Sequence, residues 1–375
     1  MGSNKRVCAY IDLENAVYNM NSMHEAIDKN SKIMAVIKTD GYGHGAVAIA
    51  KKINDLPYLY GYAVATVEEG LSLREAGIVK PILILGFVFP EDYEAVVKNE
   101  LRIALFKEDM AKALSDEAVL QNKKAYVHIK ADTGMGRIGF LVNEDSADSV
   151  KRIQALPNLV LEGVFTHFAK ADMTDHNPTF VQIEKFKKFI SMCHDKGVEF
   201  EIHHCSNSAG IIEFPEANFD MVRAGITLYG LMPSDEVSKD KVLLKPLMSL
   251  KSHIAYIKTV EPGTQISYGG TFVCDKKMRI ATIPIGYGDG YPRSLSNKGY
   301  VIIRGRKANI LGRVCMDQMM VDVTDFDDLG EYEEVTLIGK DGEISITMEE
   351  LGDLSGRFNY ELACDIGKRV PRVYL

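Results

Sequence analysis

The 375-residue chain has few cysteines, and none of the six (Cys8, Cys193, Cys205, Cys274, Cys315 and Cys364) forms a C-x-x-C pair. That spacing argues against a thiolate zinc site and against a disulfide framework, and it fits reduced, cytoplasmic usage. The nearest approach to a ligand cluster is His203-His204-Cys205. Adjacent strand residues point to opposite faces, so the trio does not converge and no metal is expected. An excess of basic residues is also missing: 44 Lys and Arg stand against 52 Asp and Glu, a net charge of −8. This argues against a nucleic-acid binder. No apolar run approaches the ~20 residues that span a membrane, so no membrane partner is expected. The start, Met1-Gly2-Ser3-Asn4-Lys5-Arg6, lacks the apolar region of a signal peptide, and Arg6 stands where a myristoylation motif needs Ser or Thr. Repeats and low-complexity tracts are absent.

What remains is a chain 46% hydrophobic and 26% charged, ordinary for a globular enzyme and long enough for two domains. Eight short apolar runs punctuate its first part, at 32–38, 60–65, 82–87, 101–105, 125–131, 159–166, 200–206 and 219–224. Amphipathic helical segments lie between most of them. Thr66-Val67-Glu68-Glu69 reads as a capping box, with Gly77 ending that helix. Residues 177–196 carry Phe180, Ile183, Phe186, Phe189 and Ile190 at helical spacing, which reads as a core face. Strand alternating with helix implies parallel strands, and eight such units imply a closed barrel. Near Pro233-Ser234-Asp235 the pattern changes. Beyond it come strand signals with turns at Glu261-Pro262-Gly263, Tyr268-Gly269-Gly270, Asn297-Lys298-Gly299 and Lys340-Asp341-Gly342. The expected fold is α/β: a (β/α)8 TIM barrel over 1–242, then a mainly antiparallel β domain over 243–375, to which the strand 7–11 can pair.

Active-site residues of such barrels sit at the C-terminal ends of strands. The polar residues that close the apolar runs are therefore candidates: Lys38, Lys130, His167, His204 with Ser206 and Asn207, and Arg223. Each alone is unremarkable, since a strand-end lysine is usually the first solvated residue and a strand-end histidine usually structural. Lys38 stands out because it ends Ile33-Met34-Ala35-Val36-Ile37 and opens a glycine-rich stretch. Desolvation there lowers an amine's pKa, and a neutral amine can form a Schiff base. Arg223-Ala224-Gly225-Ile226 follows the last barrel strand, where backbone N–H groups suit a phosphate. Asn207-Ser208-Ala209-Gly210 follows the seventh and adds a hydroxyl, although Ser208 also reads as a helix cap.

Val36-Ile37-Lys38-Thr39-Asp40-Gly41-Tyr42-Gly43-His44-Gly45 closely resembles the cofactor-lysine motif of alanine racemases. Further blocks resemble that family in the same order along the chain. They are 128–140 (HIKADTGMGRIGF), 205–209 (CSNSA), 223–230 (RAGITLYG), 266–272 (ISYGGTF), 285–291 (IGYGDGY) and 312–318 (GRVCMDQ). The chain departs from many relatives at Gly367-Lys368.

The resemblance implies a cytoplasmic homodimer with shared active sites that racemises alanine with pyridoxal 5′-phosphate and supplies D-alanine for peptidoglycan. It implies that Lys38 carries the cofactor and is one base, and that Tyr268, from the partner subunit's β domain, is the other. Arg223 would face the pyridine nitrogen. Tyr42, Ser208, Gly225, Ile226 and Tyr360 would hold the phosphate. Arg137 and the backbone of Met316 would meet the substrate carboxylate. His167 would support Tyr268, and His204 would orient Arg223. Lys130, beside Arg137, matches a lysine that is often carbamylated in the family; an ordinary solvated lysine is the alternative.

These residue types suit the chemistry. Racemisation takes a proton from one face of a planar carbon and returns one to the other, which two bases do without either changing sides. Lysine and tyrosine have reference pKa values of about 10.4 and 10, within reach of tuning by surroundings. Arginine can only donate to the pyridine nitrogen, where an aspartate would keep it protonated. A serine or broader racemase, a non-catalytic pyridoxal phosphate carrier and a decarboxylase of related fold are the rivals. The carriers lack the β domain and its tyrosine. Pairing of Arg223 with Tyr268 disfavours loss of CO2, and bulky Tyr360 leans toward alanine over serine.

Overall fold

The computed structural model describes residues 6–375, so the Met1-Gly2 start lies outside the described residues. Two compact units result: 16–41 with 46–245, and a second one containing the segment up to Asn15, Tyr42–Gly45 and Pro246–Leu375.

In chain order, strand β1 spans Val7–Ile11 and precedes eight parallel strands. These are β2 (Lys32–Val36), β3 (Leu59–Val64), β4 (Ile82–Ile84), β5 (Arg102–Leu105), β6 (Ala125–Asp132), β7 (Leu159–Phe165), β8 (Ile202–His204) and β9 (Met221–Ala224). Each matches one apolar run of the sequence. Pairing runs β9-β2-β3-β4-β5-β6-β7-β8. The Asp220 N–H to His203 O bond (3.2 Å) and the Arg223 N–H to Ser206 O bond (3.0 Å) bring the last strand beside the segment that ends the seventh. The ring is thereby nearly closed, and Met34, Ile103, Val127, Ile129 and Val164 on its strands are fully buried.

The amphipathic helix predicted over 177–196 spans Asn177–Asp195, with Ile183, Phe186 and Phe189 buried. Phe180 departs from that face. It is exposed and meets the Phe214 ring edge-on at 5.5 Å. The helix expected after Thr66 spans Val67–Glu75, and Gly77 follows its end at φ 88°.

The second unit is built on an antiparallel sheet. Strand β1 pairs antiparallel with β10 (Met248–His253) and parallel with a C-terminal strand, Arg372–Tyr374. Two short helices, Met348–Ser355 and Asn359–Asp365, complete it.

Candidate active site

In the barrel unit the candidate residues gather at the C-terminal ends of the strands. Arg223, on β9, is 2% exposed. One NH2 nitrogen of its guanidinium donates to the Thr166 carbonyl (2.8 Å) and the Cys205 carbonyl (2.9 Å), and lies 3.3 Å from His167 Nδ1. The other, NH1, donates to His204 Nδ1 at 2.8 Å. Its Nε–H and the second NH1 hydrogen have no acceptor among the described residues, so two of its five donors are left for a ligand.

The contact with His204 continues into the barrel. His204 Nε2 lies 2.8 Å from His128 Nδ1, and His128 Nε2 lies 3.0 Å from Glu162 Oε2. Arg102 closes the chain with two 3.2 Å bonds to the Glu162 oxygens. Donor count fixes the protons. Arginine only donates, so His204 Nδ1 accepts and its Nε2 carries the hydrogen. His128 Nδ1 must then accept, and its Nε2–H points at the carboxylate. Burial, with the Arg223 charge added, holds His204 well below its ordinary pKa, and burial also lowers His128. Both rings are neutral. Burial raises the Glu162 carboxyl, but bonds from His128 and Arg102 outweigh it and bring the group to about 2. Burial lowers Arg223 to about 10, which leaves it a cation at neutral pH.

His167 shows how the other candidates converge. Its pKa is pushed well below the ordinary value by burial first, and then by Arg223, Arg137, Lys130 and Lys38. Lys130 is buried, donates to the Ala131 carbonyl at 2.6 Å and lies 5.3 Å over the Phe165 ring. Burial and the Arg223 charge lower its pKa to about 7. Arg137 is exposed at the end of a loop braced by Asp132, whose Oδ1 accepts the Gly134 and Gly136 N–H groups, both at 3.0 Å.

Ser208 turns out not to be a cap. Asn207 caps the short helix by accepting the Gly210 N–H at 2.9 Å. Ser208 Oγ instead accepts from the Gly225 N–H (3.0 Å) and the Thr227 hydroxyl (3.0 Å), leaving its own proton to donate. Ile226 opens the 3-10 turn Ile226–Tyr229 beside it. A hydroxyl donor, helix-start N–H groups and a cluster of cations are the donor set that a phosphate and a carboxylate require. These residues therefore fit a phosphorylated, ring-bearing cofactor.

The second unit holds the rest. Tyr42 is buried, which raises its pKa, and its ring lies 6.1 Å from that of Tyr360, itself stacked on Phe358 at 4.4 Å. Tyr268 is 71% exposed. It sits in the Tyr268–Gly270 turn, behind Ser267 at φ 64°. Ser267 is fastened there by its hydroxyl bond to the Arg313 carbonyl at 2.6 Å. Met316 is 52% exposed, and its carbonyl accepts the Gly288 N–H at 2.8 Å. A Cβ on Gly286 would lie 2.1 Å from the Cys315 carbonyl, so only glycine lets these two sequence blocks meet.

Sequence reasoning gave no role to Glu162, His128 or Arg102. A signal existed: Glu162 is a charge inside the apolar run 159–166, and it is only 9% exposed. Among the described residues no group of His, Cys, Asp and Glu could hold a metal, and no helix is long and apolar enough to cross a membrane.

Comparison with known proteins adds the family. The alanine racemase N-terminal domain matches residues 11–233, and the C-terminal domain matches 247–374. The alanine racemase of Halothermothrix orenii is 45% identical over 375 residues, covering 99% of this chain and 98% of that one. The solved alanine racemase of Clostridium difficile 630 superimposes with a TM-score of 0.94 at 42% identity, covering 99% of this chain and 96% of that one. A histidine racemase from Leuconostoc mesenteroides is also similar, with a TM-score of 0.91 at 28% identity, covering 100% and 99%.

Proposed function

The chain belongs to the alanine racemase family, and we propose that it interconverts L- and D-alanine with two bases, Lys38 and Tyr268. The family depends on pyridoxal 5′-phosphate, which when bound supplies the electron sink that lets an amino acid's Cα–H ionise. The observation that carries the reading is Arg223, buried with three donors engaged by the barrel and its Nε–H among those left over. Such a group gives one fixed donor to a ring nitrogen and takes no proton from solvent.

Around it the roles divide by residue. Lys38 holds the cofactor and moves the proton on one face. Ser208, Gly225, Ile226, Tyr42 and Tyr360 hold the phosphate, and Arg137 with the Met316 backbone meets the carboxylate. His204 orients Arg223, and His167 supports the tyrosine base. Lys130 is carbamylated: a pKa of about 7 leaves much of the amine neutral, the form that adds CO2 and releases a proton. The resulting anion pairs with Arg137. The exposure of Tyr268 supports a homodimer in which this tyrosine serves the partner's cofactor. The barrel within 1–242 thus binds the cofactor and 243–375 delivers the second base. The product supplies D-alanine for peptidoglycan in the cytoplasm.

The histidine racemase of similar fold makes a wider substrate range the second reading. The purified protein is incubated with L-alanine, L-serine and L-histidine, and the D-isomers are followed by chiral chromatography. D-alanine formed fastest supports the proposal. Faster serine or histidine turnover replaces it with the second reading.

A further inference from the structure

Glu69 does not do what its sequence position predicts. In a capping box the third helical residue returns its carboxylate to the N–H of the capping threonine. Half of the box forms: Thr66 Oγ1 accepts the Glu69 N–H at 3.4 Å. The carboxylate goes elsewhere. Glu69 Oε2 accepts the Ala65 N–H at 2.7 Å, and Oε1 accepts the Thr39 N–H at 2.5 Å.

Both donors lie just beyond the barrel ladder. Strands β2 and β3 pair in parallel, and the last backbone bond between their ends runs from the Ile37 N–H to the Ala63 carbonyl at 2.9 Å. Glu69 carries the connection further, from the end of β3 to the residue that follows Lys38. The chain there is costly. Thr39 (φ 55°, ψ 48°), Asp40 (φ 50°, ψ 50°) and Gly41 (φ 62°, ψ 46°) form a left-handed turn. For L-residues other than glycine this conformation costs roughly 1–2 kcal/mol each, and β-branched threonine is a particular outlier. It persists only where surrounding bonds over-determine it. Two more bonds help: Asp40 Oδ1 accepts the Ala46 N–H and the Gly41 N–H reaches the Ile37 carbonyl, both at 2.9 Å.

We propose that Glu69 is a positioning residue for Lys38. The inference rests on Lys38 as the cofactor lysine. The Thr39 N–H shares a peptide plane with the Lys38 carbonyl. Holding it fixes the peptide after Lys38, while the Gly41 N–H bond to the Ile37 carbonyl fixes the peptide before it, so the direction in which the lysine side chain leaves Cα is set between the two. A charge-assisted bond is strong enough to do this against the strain of the turn.

The test uses the holoenzyme and three variants: Glu69→Ala, Glu69→Gln and Thr66→Ala. Thr66→Ala removes the cap of the same helix and leaves the bond to Thr39. Readouts are Thr39 amide exchange, the site of borohydride-fixed cofactor, and kcat and KM. Expected for Glu69→Ala is Thr39 exchange faster by about tenfold or more, and a fall in kcat larger than any change in KM. Glu69→Gln, which keeps a neutral acceptor, gives an intermediate result and serves if the alanine variant does not fold. Thr66→Ala leaves Thr39 exchange and kcat unchanged. If wild type is labelled on Lys38 but both Glu69 variants leave Thr39 exchange and kcat intact, or Thr66→Ala moves them equally, the positioning role is wrong. Label on another lysine overturns the cofactor assignment instead, and the positioning role with it.

Discussion

The surroundings of Arg223 and Tyr268 are opposites. Arg223 is buried and meets two carbonyls and two imidazoles, with a second layer, His128, Glu162 and Arg102, behind one of the imidazoles. Tyr268 stands 71% exposed on a turn anchored through Ser267, whose hydroxyl meets the Arg313 carbonyl at 2.6 Å and Cys315 Sγ at 3.3 Å. The barrel unit fixes its functional groups from within one chain. The turn fixes a backbone and leaves the side chain in solvent, as suits a residue completed by another surface.

The largest effect that sharpens this contrast comes from Arg223→Glu. Replacing a fixed cation with an anion raises the proton affinity of the ring nitrogen that Arg223 is proposed to face. Racemisation is expected to slow on the order of 10²-fold, with more transamination side product measured as pyruvate. An unchanged rate and product ratio would take Arg223 off the nitrogen.

Glu162→Gln acts one layer deeper. It leaves Arg102 without its anion and keeps only a neutral amide oxygen to accept the His128 Nε2–H, while Arg223, which can only donate, still holds both imidazoles in their direction. Both partners are largely buried, so the cost is about 3 kcal/mol. Urea unfolding reports it as a lower midpoint with unchanged slope. Imidazole 15N shifts test the direction of the relay separately: the hydrogen is expected on Nε2 of both His128 and His204, in wild type and variant alike. A midpoint within error of the wild type would show that the relay carries no load.

Acidity gives a smaller, graded effect. His128, His167 and His204 all have folded pKa values below the ordinary 6.5. Below 6.5 the unfolded chain binds protons that the folded chain refuses, so stability is full above that value and is lost as pH falls through it. Glu162 adds a second loss, as pH drops from its ordinary 4.5 toward about 2. Melting temperature should therefore decline between about pH 6.5 and 5, before ordinary carboxylates titrate. Replacing exposed Tyr268 should not alter that decline. A flat profile there would mean that the histidines are charged in the folded state.

The eight strands and the rim residues were legible because an apolar run that stops marks both a strand end and the place where polar chemistry begins. The direction of the relay was not. Whether His128 meets His204 or solvent depends on barrel closure, which places residues 76 apart in sequence within 2.8 Å. The left-handed turn was half legible. Gly41 signals permissive backbone, but Thr39 and Asp40 carry no such signal and adopt the conformation because Glu69 and Ala46 hold them there. Ser208 was misread as a possible cap because asparagine and serine both cap well, and only the structure shows that Asn207 takes the role.

The central claim is that Lys38 of one chain works with Tyr268 of another, and subunit exchange tests it directly. Lys38→Ala and Tyr268→Ala proteins are each expected to be nearly inactive. Mixed and allowed to exchange, they form heterodimers in which one site has both bases intact and the other has neither, so activity returns to at most about one functional site per heterodimer. Recovery of racemase activity in step with heterodimer formation, followed by native mass spectrometry, is the predicted result. Heterodimers that form and stay inactive would contradict the account, because both bases would then belong to the same chain.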